Sequence, residues 1–243
     1  MKDILKDLID HTHGLGVIDI IKITGTAQET QFLALSDNKT VIIDGSFKNP
    51  VADFIGTFGM PNLGKLKTIL SLEDYDSNSA IVVNREVRDG VNVPIMIHFQ
   101  TQNSDFINDY RLMSKTLVEG RVPNVAFKGA TWNVEFEPPI AGIQRLKRQQ
   151  QANSEEVHFA MKTENGNLKI YFGDPSTHSG NFVFQAGVTG STNNTWMWPV
   201  KEFIGIMDMV GDKKIRVSDA GVAEVTVDSG IASYRYLLPA NVK

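Results

Sequence analysis

Four stretches with helical periodicity interrupt an otherwise strand-like sequence, and their spacing repeats. In 1–10, Ile4, Leu5, Leu8 and Ile9 fall on one helical face. In 62–72, following Pro61, the stripe is Leu63, Leu66 and Leu70. In 139–153, Pro139 suits a first helical position and Ile140, Ile143 and Leu146 carry the stripe. In 199–210, Val200, Phe203, Ile204 and Met207 repeat the i, i+3, i+4, i+7 pattern. These stretches begin near residues 1 and 61, then near 139 and 199, an interval of sixty residues in each half. Short alternating or β-branched runs fill the gaps, at 17–24, 31–35, 40–44, 80–87 and 93–101, then at 157–162, 168–172, 181–187, 214–217, 223–227 and 232–237. Turn signals such as Asp89-Gly90, Asn165-Gly166 and Ser229-Gly230 separate them. The order is helix, three strands, helix, two or three strands, and then the same series from Pro139. It predicts an α+β chain of two similar domains, each an antiparallel sheet with two helices, duplicated in architecture without evident residue identity.

Composition narrows the function classes. A chain of 243 residues with 42% hydrophobic and 21% charged residues can bury a core, and its length fits one to two domains. The absence of cysteine excludes disulfide scaffolds, thiolate metal sites and cysteine nucleophiles. The first residues, Met1-Lys2-Asp3-Ile4-Leu5-Lys6-Asp7, carry acid and lack the apolar region of a signal peptide, and no apolar run is long enough to span a membrane. A soluble intracellular protein is expected. Lys plus Arg is 24 against 28 Asp plus Glu, a net charge of −4, so any basic surface must be local and offset by acid elsewhere.

The third helical stretch carries the clearest local charge. From 140 to 154 it holds Arg145, Lys147 and Arg148 with four glutamines and no acid, and Arg145 and Arg148 project opposite the apolar stripe. Such a face suits phosphate oxygens, although a basic helix face is ordinarily just solvated. Lys2 and Lys6, Lys65 and Lys67, and Lys201 sit on the other three helices, with Asp3, Asp7 and Asp10 beside the first pair.

Catalytic signals are thin. Gly59 to Lys65 matches G-x-x-x-x-G-K, but Leu66 replaces the magnesium-binding hydroxyl and Pro61 removes a backbone donor, so nucleotide turnover there is a weak option. His11 and His13 lack a metal-ligand pattern and read as helix-terminal or surface residues, and no nucleophile–base pair is evident. No catalytic residue, metal or cofactor is expected, and the chain is not expected to be an enzyme. The segment 115–132, which holds Glu119-Gly120-Arg121-Val122-Pro123-Asn124, is poor in periodicity. It reads as a connector between a first domain at 1–114 and a second at 133–243.

The C-terminal segment Tyr234-Arg235-Tyr236-Leu237-Leu238-Pro239-Ala240, together with the duplicated element order, resembles the DNA polymerase sliding clamps of the PCNA type, and looks most like the clamp of a large tailed bacteriophage. Tyr236-Leu237-Leu238-Pro239 matches the family's terminal Tyr-Leu-x-Pro pattern. Asp109-Tyr110-Arg111-Leu112-Met113 resembles the strand before the family's interdomain connector, and Glu135-Phe136-Glu137-Pro138 the strand leading into the second domain's first helix.

The resemblance implies a clamp architecture in which three subunits close head to tail into a ring around duplex DNA, bound without sequence preference. Its partners would be the replicative DNA polymerase and a clamp loader, with no membrane involved. If the protein is viral, its place would be the cytoplasm of the infected host cell. Lys2, Lys6, Lys65, Lys67, Arg145, Lys147, Arg148 and Lys201 would face the DNA. A partner-peptide pocket would use Leu35, Val41, Val125, Phe127, Tyr236, Leu237, Leu238 and Pro239. Ring closure would pair strands at 106–114 and 181–187. A β-rich virion protein, such as a tail or baseplate subunit, is the alternative; it would share the acidity and hairpins but would not need the acid-free basic helix.

Overall fold

Strand alternation and helix stripes organise a computed structural model that describes residues 1–88, 90–125, 127 and 129–241. The chain divides into two units. Unit 1 comprises Met1–Asp37, Ile43–Ala126 and Ser229–Tyr234; unit 2 comprises Asn38–Ile42, Phe127–Asp228 and Arg235–Lys243.

Unit 1 runs α1 (Lys2–Asp10), β1 (Ile20–Gly25), β2 (Thr30–Leu35), β3 (Ile42–Phe47), β4 (Gly56–Pro61), α2 (Leu63–Ser71), β5 (Ala80–Arg88), β6 (Val91–Gln100), β7 (Ile107–Arg111) and α3 (Lys115–Arg121). Strands β4-β1-β2-β3 are successive neighbours in one sheet, and β5-β6-β7 form another. In the first, Ile21 pairs with Ala34 and Met60, and Ile23 with Phe32 and Phe58, which puts these six side chains on one buried face. Lys22 and Gly59, paired with each other, lie on the opposite face.

That opposite face receives α3, which packs on β4 and β1. A Cβ at Gly59 would lie 2.7 Å from Val118 Cγ2, so only glycine admits the helix this closely. The segment 115–132 is therefore not irregular throughout: its first seven residues are a helix, held by the buried Val118 and Val122. The strand β4 itself is absent from the periodicity pattern because two glycines and a proline interrupt its side-chain alternation.

Unit 2 runs β8 (Val134–Phe136), α4 (Ile140–Ala152), β9 (His158–Glu164), β10 (Asn167–Gly173), β11 (Ser179–Gln185), β12 (Met197–Pro199), α5 (Val200–Asp208), β13 (Asp212–Ser218), β14 (Val222–Asp228) and β15 (Ala232–Pro239), the last beginning in unit 1. Strands β11-β10-β9-β12 form one sheet, and β15-β14-β13-β8 are successive neighbours in another. Phe159 packs against Phe172, Trp198 and Phe203 at centroid distances of 6.1, 6.3 and 5.0 Å. Trp198 is thus a core residue, whereas Trp196 donates its indole N–H to the Asp219 carbonyl at 2.8 Å. The polar stretch 173–180 is the β10–β11 hairpin turn. Gly173 takes φ +70° there, and a Cβ would lie 2.1 Å from the His178 carbonyl oxygen.

Each unit pairs its two long helices, α1 with α2 and α4 with α5. One stripe differs from expectation. Ile140 is 76% exposed, while Gly142 and Leu146 are buried. The helix approaches β11 so closely at Gly142, where a Cβ would lie 2.6 Å from the Phe184 carbonyl oxygen, that its contact line shifts and the first turn stands clear.

Candidate nucleic-acid interface and partner pocket

The eight sequence-predicted cations divide between the two helix pairs, Lys2, Lys6, Lys65 and Lys67 on α1 and α2, and Arg145, Lys147, Arg148 and Lys201 on α4 and α5. Lys6, Lys65, Lys67, Arg145, Arg148 and Lys201 are exposed. Two differ. The Lys2 ammonium donates to the Tyr75 carbonyl oxygen, and Lys147 forms an ion pair with Asp208 across the α4–α5 pair. Both charges are partly committed within the chain.

The acid beside α1 is less opposed to an anionic ligand than its sequence position implies. Asp7 turns inward, accepting from the Tyr234 hydroxyl at 2.6 Å and the Ser229 hydroxyl at 3.0 Å, while His11 stacks on Tyr234 at 4.5 Å. His11 is helix-terminal but buried, so its surface role is corrected. Asp3 and Asp10 remain exposed.

The stretch from Gly59 to Lys65 is not a phosphate loop. Gly59 and Met113 exchange backbone hydrogen bonds at 3.0 and 2.8 Å. Leu63 N–H donates to Asp19 Oδ1 at 3.0 Å, and Lys65 N–H is received by Asn62, whose side chain caps α2. Three of the backbone donors a phosphate cradle would need, the N–H groups of Gly59, Leu63 and Lys65, are already in use. Among the described residues, no three His, Asp or Glu side chains group as a metal site, and no helix is long and apolar enough to cross a membrane.

The proposed pocket residues also divide, Leu35 and Val125 in unit 1, and Val41, Phe127, Tyr236, Leu237, Leu238 and Pro239 in unit 2. Val41, Tyr236, Leu237 and Leu238 are buried, whereas Pro239 and Val125 are exposed. Sequence reasoning missed what holds Phe127. Arg235 lies over its ring at 5.9 Å, Trp132 packs on it at 6.2 Å, and Arg216 lies over Trp132 at 4.8 Å. Arg216 in turn donates Nε–H to Glu224 Oε1 at 2.8 Å, a carboxylate only 1% exposed. Arg216, Glu224 and Arg235 sit on adjacent strands, which fixes this ladder to the sheet; the only sequence signal was two arginines and a glutamate interrupting apolar alternation.

Lys22 performs a similar task in unit 1. Its buried ammonium donates to the Val122 carbonyl at 2.9 Å and to Asn124 Oδ1 at 2.6 Å, so β1 grips the end of α3. Burial lowers its pKa, and the Glu119 carboxylate partly opposes that.

No family model and no curated protein sequence matches this chain. Solved structures do. A. fulgidus PCNA, in a structure described as the C-terminal region of FEN-1 bound to it, aligns with a TM-score of 0.66 at 10% identity, covering 100% of this chain and 95% of that one. PCNA from Thermococcus kodakaraensis aligns with a TM-score of 0.64 at 12% identity, covering 99% and 95%. The chain has the PCNA-type clamp fold along its whole length.

Proposed function

We propose that the protein is a sliding clamp of the kind used by large tailed bacteriophages. Three copies close into a ring around duplex DNA, and the ring tethers a replicative polymerase after a loader has placed it. The carrying observation is a clamp fold whose α4 exposes Arg145 and Arg148 on a face that contains no acid. Three chains at −4 carry −12 in all, so the annulus is acidic while its lining, with Lys6, Lys65, Lys67 and Lys201 contributing, is basic. Duplex DNA presents a charge about every 1.7 Å, so diffuse cations attract it at every register and favour none. Residence then depends on topology rather than on strong contacts. No covalent chemistry is required of the chain.

Ring closure has candidate edges in β7 and β11, each the terminal strand of its sheet. Within unit 2, a partner peptide would dock on Phe127 and Pro239, with Val41, Tyr236, Leu237 and Leu238 buried in that unit. Light scattering in solution tests the assembly, with a mass of three chains expected; a lone monomer or extended tubes would refute it. Arg145→Glu with Arg148→Glu is expected to leave that mass unchanged and to cut clamp loading and polymerase stimulation. Equal stimulation at several salt concentrations would remove these residues from the DNA-facing set.

A further inference from the structure

A cleft of about 550 Å³ in unit 2 lies where the start of α5 meets the residues after α4. Its apolar wall is Val157, Val200 and Ile204, and Glu202, Thr40 and Glu156 supply oxygen atoms. Glu202 is 8% exposed, yet it is poorly supplied with hydrogen-bond donors. It occupies the third position of α5, from which a glutamate ordinarily reaches back to the capping residue's N–H, but that residue is Pro199 and has none. Its one contact among the described residues is the Thr40 hydroxyl at 3.3 Å. That hydroxyl has a single proton and lies closer, at 2.7 Å, to Asn38 Oδ1, which also accepts the Thr40 N–H. A carboxylate largely withdrawn from water, opening onto a cleft with one long hydrogen bond for support, favours a cation that enters beside it.

We infer that this cleft binds a guanidinium or primary ammonium group on an aliphatic stem, with the charged head on Glu202 and the stem along Val157, Val200 and Ile204. Lys201 at the rim limits the total charge admitted, so a compact head on a short stem fits better than a polycation threaded through. The source is either a free diamine or an arginine or lysine side chain of a partner peptide, and the chemistry at Glu202 is the same for both.

Methyl NMR on the full chain, without DNA, tests this independently of ring assembly. Putrescine and the peptide acetyl-Gly-Arg-Gly-amide are titrated separately, with 1,4-butanediol as the uncharged control. At least one cationic probe is expected to shift the Val157, Val200 and Ile204 methyls saturably, and the tighter probe identifies the source. Glu202→Gln is expected to weaken that probe at least tenfold. Val157→Lys, at a position 69% exposed and tolerant of charge, is expected to fill the cleft with its own ammonium and block binding even if the Glu202 variant folds poorly. Absence of saturable shifts with both cations, equal shifts with butanediol, or binding undiminished in the variants that fold would overturn the inference.

Discussion

Replacing Gly59 by alanine tests whether α3 lies on β4. The added Cβ would meet Val118 Cγ2 at 2.7 Å, Val118 Cβ at 2.8 Å and Met113 Cβ at 3.1 Å, all tighter than ordinary contact. Gly59 is not among the positive-φ residues, so the backbone itself accepts alanine and the cost is steric. Overpacking of this kind costs about 1–3 kcal/mol. Val118→Ala alone removes two buried methyl-sized groups, about 1.5 kcal/mol of transfer plus a small cavity term, or roughly 2 kcal/mol. In the double variant the new methyl enters the space Val118 vacates, leaving a net cost of about 1–2 kcal/mol. The singles sum to roughly 4 kcal/mol, so the interaction energy is about −2 to −3 kcal/mol, well beyond the additivity expected of separate sites. The assay is native-state hydrogen exchange at residues 59 and 113, whose reciprocal backbone bonds report this junction locally rather than the unfolding of the whole chain. Additive protection losses, within about 0.5 kcal/mol, would mean that α3 does not rest on Gly59.

Arg216→Met removes the partner of Glu224 and leaves a buried carboxylate alone, which is expected to cost about 3–5 kcal/mol in urea unfolding, with Glu224→Gln restoring part of it; no loss would show that the pair is not formed. His98 donates Nδ1–H to Asp109 at 2.7 Å, and that hydrogen bond raises its pKa above 6.5. The sign follows from the raised folded value: the stabilisation is complete below 6.5 and fades as pH rises through the folded pKa. Asp109→Asn is expected to bring the NMR titration of His98 back towards 6.5 and to flatten that pH dependence, and an unchanged titration would assign the shift elsewhere.

The strands that read clearly in the sequence are those whose two faces meet different environments. In β10, Leu168, Ile170 and Phe172 are buried and the residues between them are not, so alternation reports the fold directly. Alternation fails where backbone contact, rather than side-chain burial, decides the structure. In β4, Gly59 is present so that α3 can approach, and a glycine contributes nothing to a hydrophobic pattern. In α3, the sequence Lys115-Thr-Leu-Val-Glu-Gly-Arg121 buries only Val118, and Leu117 remains 60% exposed. So short a helix has little stability of its own and forms because a tertiary surface receives it. Ile140 shows the reverse case, a residue with the right spacing placed off the contact line by a close approach two residues later.

The same distinction governs the candidate site. Periodicity identifies which cations leave a helix on its polar side, and Lys6, Lys65, Lys67, Arg145, Arg148 and Lys201 are exposed accordingly. It does not reveal partners 73 or 61 residues away, and these change what a charge is worth: Lys2 reaches the Tyr75 carbonyl and Lys147 reaches Asp208. An exposed ion pair contributes only about 0–1 kcal/mol, so DNA could displace Lys147 from Asp208, but at the cost of leaving an acid beside the phosphates. Among the described residues, neither Arg145 nor Arg148 has such a neighbour to release. Their exposed place on α4, whose buried side is Gly142 and Leu146, is therefore where the DNA-facing proposal has its firmest physical basis, and where charge reversal tests it most directly.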